Sequence, residues 1–195
     1  MPAYDSQTAL IVVDIQNDFA HPDGSLYVSG AADVVAYANR AISDASQSGA
    51  LVVYTQDWHP KHTPHFEQDG GIWPVHCVGD SWGAEFHTDL ALNAGPTVRK
   101  GADGNDGYSG FTTRDPQSGA QQQTELEEIL LEAGIERCVV VGLATDYCVK
   151  ETVLDACRLG FEVLAPRAGM AAVNLQPGDG EAALTTMAES GALIE

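Results

Sequence analysis

Basic residues are scarce in this sequence, where 9 lysines and arginines stand against 28 acidic residues for a net charge of −19. A surface of this charge repels nucleic acid and anionic membranes, so neither is expected as a partner. Long hydrophobic runs are absent as well, since no stretch approaches the roughly 18 apolar residues that a membrane span needs. The beginning, MPAYDSQTAL, has neither a basic region nor an apolar signal core, which predicts a cytoplasmic location.

Cysteine is limited to four residues, and their spacings match no zinc-finger pattern. Since a cytoplasmic chain keeps its thiols reduced, we expect no disulfides. Cys77, Cys138 and Cys157 are interpreted as small residues that pack the core. Cys148 differs, because it follows a predicted strand and stands where a helix is expected to begin.

Apolar runs typical of buried strands alternate with segments of helical periodicity. The predicted strands are 9–16, 50–56, 95–100, 137–143, 161–166 and 192–195. The predicted helices are 31–47, 122–133, a helix capped by Thr145 or Asp146 that runs to Leu159, and 177–189. This order predicts a single α/β domain over residues 1–195, with three α/β/α layers, Rossmann-type topology and a mainly parallel, roughly six-stranded sheet.

Four predicted strands are followed by side chains that carry chemistry. Asp14, Asp57 and Lys100 end the first three, and a short loop leads from the fourth to Cys148. Because parallel strands gather their carboxyl ends at one edge, where ligands bind, these residues are expected to converge. Each alone also fits an ordinary role as a cap, a surface charge or a buried residue, so their convergence is what predicts an active site.

Cys148 is the candidate nucleophile of this edge. A thiol reacts as its thiolate, and both a helix N-terminus and a nearby Lys100 ammonium would lower its pKa. Asp14 can accept the thiol proton. The backbone N–H groups around Ala144 and Cys148 are candidates for an oxyanion hole.

Histidine is concentrated in one segment, which holds five of the six residues of this type. Asp57 and His59 alternate along the chain and can point to the same side, and His65 and His76 can then close around a metal ion. Aspartate with imidazoles suits Zn²⁺, Fe²⁺ or Mn²⁺. The remaining histidines are interpreted as bystanders, and a polar loop with unrelated histidines is the structural alternative.

Three aromatic residues, Phe19, Trp73 and Tyr108, lie in the predicted loops beside these positions. Together they can sandwich a small planar ring, although each alone also fits ordinary loop packing. The predicted site therefore has room for an aromatic ligand.

Taken together, the motifs resemble the nicotinamidase (pyrazinamidase) branch of the isochorismatase-like cysteine hydrolases over nearly the whole chain. They are IVVDIQNDF, TQDWHP, PHF, WPVHCV, VRKGADGNDGYSGF and VVGLATDYCVKET. The resemblance implies three groups of site residues: catalytic Asp14, Lys100 and Cys148, metal-binding Asp57, His59, His65 and His76, and substrate-binding Phe19, Trp73, Tyr108, Leu143 and Ala144. It also implies an oxyanion hole at Ala144 and Cys148 and a cis peptide bond between Leu143 and Ala144.

The activity implied by the resemblance is hydrolysis of nicotinamide, and also of pyrazinamide, through a thioester on Cys148. One divalent metal ion per subunit, a small pyridine carboxamide as substrate, a role in pyridine-nucleotide salvage and a homo-oligomer are further implications. Three alternatives stay open. They are a related amidase for a carbamoyl or ureido group, which would lack the metal ligands, a hydrolase that attacks with metal-bound hydroxide, and a binding protein that shares the fold.

Overall fold

The computed structural model describes residues 4–195, so the first three residues of the expected domain lie outside the described residues. The strands are β1 (Thr8–Val13), β2 (Leu51–Asp57), β3 (Thr97–Lys100), β4 (Thr112–Arg114), β5 (Gln121–Gln123), β6 (Arg137–Leu143), β7 (Glu162–Ala165), β8 (Met170–Ala171) and β9 (Leu193–Ile194). The helices are α1 (Asn17–Ala20), α2 (Ala31–Gln47), α3 (Leu126–Glu132), α4 (Lys150–Arg158) and α5 (Asp179–Glu189).

Within residues 4–195, seven strands form the main sheet, in the order β3-β2-β1-β6-β7-β9 with β8 also paired to β6. Neighbouring strands of this sheet run parallel to each other. β4 and β5 form a separate antiparallel hairpin. The predicted parallel α/β fold is confirmed, with β8 as a strand beyond the expected six.

Helices cover both faces of the sheet because successive strand residues point to opposite sides. Ile11 and Val13 of β1 join a buried cluster with α3, α4 and α5. Leu10 and Val12, between them in sequence, join a second cluster with α2. Burial on both faces explains why β1 is an uninterrupted apolar run, and it gives the three predicted layers.

Some predicted bounds were wrong. The first strand ends at Val13 rather than at residue 16, because the chain turns at Asp14. The helix predicted over 122–133 is confined to α3, since residues 121–123 pair with β4 instead. Neither Thr145 nor Asp146 caps a helix, because residues 145–149 form a π-helical turn that leads into α4. The helix predicted over 31–47 is confirmed as α2.

The site lies where the strand order reverses. From β1 the chain builds outward through β2 to β3, then crosses back to place β6 on the other side of β1. In open parallel sheets such a reversal opens a crevice at the carboxyl ends of the strands. Asp14 follows β1 and Cys148 follows β6, so both flank this crevice. No helix in residues 4–195 is long and apolar enough to cross a membrane.

Candidate active site

A buried lysine joins the predicted catalytic residues. Lys100 Nζ lies 2.8 Å from Asp14 Oδ2 and 3.6 Å from Cys148 Sγ, and it also donates to Asp57 Oδ1. Only 1% of Lys100 is exposed, and Asp14 is fully buried. The structure therefore brings the three residues predicted to be catalytic to one point, together with the aspartate predicted to bind metal.

Strand register and one turn place these charges. Asp57 and Lys100 are direct partners in the parallel pairing of β2 with β3, so their side chains emerge on the same side. Asp14 has a φ of 49°, a left-handed conformation that is uncommon outside glycine. Its N–H donates to the Thr55 carbonyl at 3.3 Å, and its Oδ1 accepts from the Thr55 hydroxyl at 2.6 Å. These bonds leave Asp14 Oδ2 facing Lys100.

The two carboxylates differ in proton affinity. Burial raises the pKa of Asp14, and the repulsion from Asp57 adds to this against the attraction of Lys100. Burial also acts to raise the pKa of Asp57, but Lys100 and the neighbouring histidines outweigh it and hold that pKa well below its usual range. Burial alone would lower the pKa of Lys100, yet the two carboxylates raise it well above its ordinary value. Asp14 is thus the carboxylate better suited to accept a proton.

The expected net lowering of the Cys148 pKa was wrong, although Lys100 does act in the expected direction. Burial raises this pKa well above its ordinary value; Lys100 acts to lower it, and the nearby carboxylates act in the same direction as burial. The folded site therefore favours the thiol over the thiolate. A base must remove its proton when Cys148 attacks, and Asp14, whose own pKa is raised, stands beside it.

The segment before Cys148 has an unusual backbone. The Leu143–Ala144 peptide bond is cis, as the family resemblance implies. The Ala144 carbonyl then accepts from the N–H groups of Tyr147 and Val149, both at 3.1 Å, which opens the π-helical turn. Such turns are rare and frequently lie at functional sites. Cys148 is held within this turn, where it is 6% exposed.

Three histidines form a buried cluster beside this group. One ligand atom from each of His59, His65 and His76 lies within 4.8 Å of the other two. Asp57 Oδ2 lies 3.7 Å from His59 Nε2 and 4.0 Å from His76 Nε2. Asp57 therefore faces Lys100 with one oxygen and the histidines with the other.

The cluster suits a divalent metal ion. His59 is 3% exposed, yet neither of its ring nitrogens has a hydrogen-bond partner within residues 4–195. A buried polar group in this state is costly unless a ligand satisfies it. His76 donates its Nδ1 proton to the Pro74 carbonyl at 2.7 Å, which leaves Nε2 with a free lone pair. Neutral imidazoles and a carboxylate are the donors that divalent transition metals prefer.

A small cavity opens onto both Cys148 and this cluster. Its lining includes five residues that were predicted for substrate binding: Phe19, Trp73, Tyr108, Leu143 and Ala144. Trp73 Nε1 donates to the Tyr108 hydroxyl at 3.0 Å, which ties two of the aromatic walls together. The cavity is therefore largely apolar and aromatic, and Asp57, His65, His76 and Cys148 contribute polar groups to its lining.

Four residues that line the cavity were not predicted from the sequence: Leu26, Val28, Tyr147 and Val173. Tyr147 packs edge-on against Trp73, with ring centroids 5.0 Å apart. Its position next to the predicted nucleophile was a usable signal. Val173 had none, because it lies in the loop after β8, where no motif marks it.

Comparison with known proteins gives concordant matches. The family model of the isochorismatase domain matches residues 8–194. The nicotinamidase of Escherichia coli (strain K12) is 38% identical over 203 aligned positions, which cover 95% of this chain and 93% of that relative. Both matches span nearly the whole chain, and the family match includes every residue of the predicted site.

Solved structures agree with these matches. The pyrazinamidase of Pyrococcus horikoshii in complex with zinc superposes with a TM-score of 0.85 at 38% identity, covering 97% of this chain and 98% of that one. A protein of L. infantum in complex with nicotinate gives a TM-score of 0.87 at 34% identity, covering 100% and 95%. The two neighbours were thus solved with a metal ion and with a pyridine carboxylate, respectively.

Proposed function

Because the chain belongs to the isochorismatase family, we propose that its cavity hydrolyses nicotinamide to nicotinate and ammonia, and that it accepts pyrazinamide as well. The observation that carries this proposal is the single ammonium of Lys100, shared by Asp14, Asp57 and Cys148 at the end of an aromatic cavity. The nicotinamidase and pyrazinamidase relatives support the substrate class. Pyridine-nucleotide salvage is the setting that follows from it.

In the first half-reaction, Cys148 Sγ attacks the carboxamide carbon while Asp14 accepts the thiol proton. N–H groups of the Ala144–Cys148 turn hold the oxyanion that forms on the carbonyl oxygen. When the C–N bond breaks, Asp14 delivers its proton to the leaving nitrogen, which departs as ammonia. The acyl group remains as a thioester on Cys148.

In the second half-reaction, water attacks the thioester carbon and Asp14 accepts a proton from it. The C–S bond then breaks, releasing the carboxylic acid and returning the proton to Cys148. Lys100 stabilises the negative charge of Asp57 and whichever of Asp14 and Cys148 is ionised at each step. The raised pKa of Asp14 suits this repeated gain and loss of a proton.

Asp57, His59, His65 and His76 are the residues that would hold the metal ion, and Zn²⁺, Fe²⁺ and Mn²⁺ all suit this donor set. Such an ion would act as a Lewis acid toward the pyridine nitrogen and so help to orient the substrate. The aromatic walls around Phe19, Trp73 and Tyr108 then fix the plane of the ring. Orientation of this kind is worth several orders of magnitude in rate when it brings the reacting atoms into contact.

The test is ammonia release from nicotinamide by the wild type and by Cys148→Ala, with the metal content of each protein measured. We expect turnover by the wild type and a loss of at least about 10³-fold in the folded, metal-containing variant, because no nucleophile remains. A Cys148→Ala variant that stays active would instead indicate attack by metal-bound hydroxide. A metal-loaded wild type without turnover of any pyridine carboxamide would contradict the proposed substrate.

The variant His76→Asn distinguishes the proposed nicotinamidase from the alternative amidase for carbamoyl or ureido groups. Asp57 is a poor choice for this test because it also pairs with Lys100, so its loss disturbs the catalytic group directly. If His76→Asn loses metal and the affinity for nicotinamide together, the proposed role of the cluster is supported. Full activity and affinity without metal would favour an amidase for carbamoyl or ureido substrates.

Other expectations stay predictions. They are a single domain over residues 1–195, a cytoplasmic location, a homo-oligomer, and the absence of nucleic-acid and membrane partners. The strong acidic charge motivates the last of these.

A further inference from the structure

Asp106 lies in the loop between β3 and β4, within the quoted motif VRKGADGNDGYSGF but without a role assigned from sequence, and it contacts His65 of the histidine cluster. Its Oδ1 lies 2.9 Å from His65 Nδ1. This oxygen is buried and has no hydrogen-bond partner within residues 4–195, and the His65 ring nitrogen lies within hydrogen-bond distance of it without being aligned for one. A small rotation of either side chain would let the carboxylate accept the ring N–H of His65.

The choice of ring nitrogen matters for metal binding. A neutral imidazole carries one proton, and whichever nitrogen keeps it cannot bind a metal. In His76 the Pro74 carbonyl holds that proton on Nδ1 and leaves Nε2 free. Asp106 Oδ1 lies at a similar distance from His65 Nδ1, with a carboxylate in place of a carbonyl but without the alignment of a full hydrogen bond.

The small hairpin of β4 and β5 holds Asp106 in place. The Asp106 N–H donates to the Arg114 carbonyl at 2.6 Å, and the Arg114 guanidinium lies 3.8 Å from Asp106 Oδ2. Next to it, the Asn105 amide donates to the Gln122 side chain at 3.2 Å. β4 and β5 are largely exposed and add little to the core. Their contacts with Asn105 and Asp106 connect the hairpin to the loop beside the histidine cluster.

We propose that Asp106 is a positioning residue for the metal site, which holds His65 with its proton on Nδ1 and Nε2 turned toward the ion. The inference rests on the proposed metal ligands and adds a residue that contacts one of them, His65. Carboxylates that orient a ligating histidine raise metal affinity, and their removal typically weakens binding about 10- to 100-fold. The hairpin is then a support for the metal site.

The experiment compares Zn²⁺ affinity, by competition with a chromogenic chelator and without substrate, in the wild type, Asp106→Ala and Asp103→Ala. Asp103 is an exposed carboxylate in the same loop, so its loss changes the net charge equally. We expect Asp106→Ala to bind Zn²⁺ about 10- to 100-fold more weakly and Asp103→Ala to stay within about twofold of the wild type. Equal affinity of all three proteins would overturn the proposal.

Two further variants separate positioning from a general loss of structure. Asp106→Asn keeps the size and one acceptor oxygen, so its affinity should fall between those of the wild type and Asp106→Ala. In a His65→Ala background, Asp106→Ala should weaken Zn²⁺ binding no further, because its effect passes through His65. An undiminished effect in that background would show that Asp106 acts on the fold instead.

These outcomes are distinct from those that test the proposed function. A protein that binds Zn²⁺ with the expected differences but hydrolyses no nicotinamide would contradict the substrate and leave the role of Asp106 intact. A turnover-competent wild type whose Asp106→Ala variant keeps full Zn²⁺ affinity would contradict the role of Asp106 alone.

Discussion

At the scale of single residues, the Lys100 ammonium contacts the two buried carboxylates of Asp14 and Asp57 and the Cys148 thiol. Substituting Lys100→Met leaves the Asp14 and Asp57 carboxylates buried and unpaired. Breaking a buried ion pair in this way costs about 3–5 kcal/mol, so we expect the free energy of unfolding to fall by that order and activity to be lost. Urea unfolding monitored by circular dichroism and ammonia release measure the two effects.

The matched control is the double variant Lys100→Met/Asp14→Asn. Removing one of the two unpaired charges should restore a large part of the stability without restoring activity. Recovery of activity would contradict the assignment of Asp14 as the proton acceptor.

Cys138 gives a prediction of pH dependence that is independent of the active site. Burial, with a smaller contribution from Cys157, raises the pKa of Cys138 from 9.0 to about 12. The unfolded chain therefore releases this proton at lower pH than the folded protein, so the stabilising contribution is complete below pH 9 and is lost as pH rises. Between about pH 8.5 and 10.5 the loss should be about 2 kcal/mol.

Urea unfolding in the presence of a reductant, compared between the wild type and Cys138→Ala, measures this effect. The variant starts from lower stability because a buried atom is lost, but its stability should decline less over the same pH range. Parallel curves for the two proteins would contradict the prediction.

At the scale of elements, the π-helical turn is tied to the loop after β8 by one carboxylate. Asp146 accepts from the N–H groups of Val173 at 3.0 Å and of Asn174 at 2.8 Å, and Val173 lines the cavity. Removing the acceptor in Asp146→Ala should lower stability by about 1–3 kcal/mol. Because the cavity wall then loosens, we expect KM for nicotinamide to rise more than kcat falls.

Asp179→Ala is the control for this prediction. Asp179 also accepts from a backbone N–H, that of Gln176, but it does not line the cavity. Its variant should lose stability while keeping KM. An Asp146→Ala variant with unchanged KM would contradict the link between this turn and the cavity wall.

The secondary-structure elements also show which parts of the fold can be predicted from the sequence. β1 and β6 were recognisable because burial on both faces requires a continuous apolar run. β5 was missed because its three exposed glutamines carry no pattern, and only backbone bonds to β4 define it. The π-helical turn was missed because it depends on the Ala144 carbonyl accepting from two N–H groups, those of Tyr147 and Val149, and no residue type indicates this pattern.

The same limit applies to the site. Asp14, Asp57 and Lys100 could be grouped from sequence because each ends a strand of a parallel sheet. The contact of Asp106 with His65 could not, since it joins two irregular loops whose paths no local pattern determines. The pKa of Cys148 was misjudged because full burial, which opposes the thiolate, is a property of the folded site.

At the scale of the whole molecule, the net charge of −19 should attract cations to the surface. Electrostatic steering of this kind raises association rates and is screened by salt, with a Debye length of about 10 Å at 0.1 M. We expect the association rate of Zn²⁺ with the metal-free protein to fall severalfold as NaCl rises from about 20 to about 300 mM. Stopped-flow measurement with a chelator as indicator tests this, and a rate independent of salt would contradict it.

The position of β3 has a consequence for how long the site stays assembled. This strand is four residues long and lies at one edge of the sheet, yet it carries the lysine that joins the reactive groups. Edge segments open by local unfolding more readily than central strands, and amide hydrogen exchange reports the free energy of that opening. Each opening of β3 would withdraw Lys100 while β1 and β6 stay folded. The exchange of those β3 amides that are bonded to β2 gives the free energy of this opening, and the closed fraction that follows from it is an upper limit on the fraction of molecules ready to react.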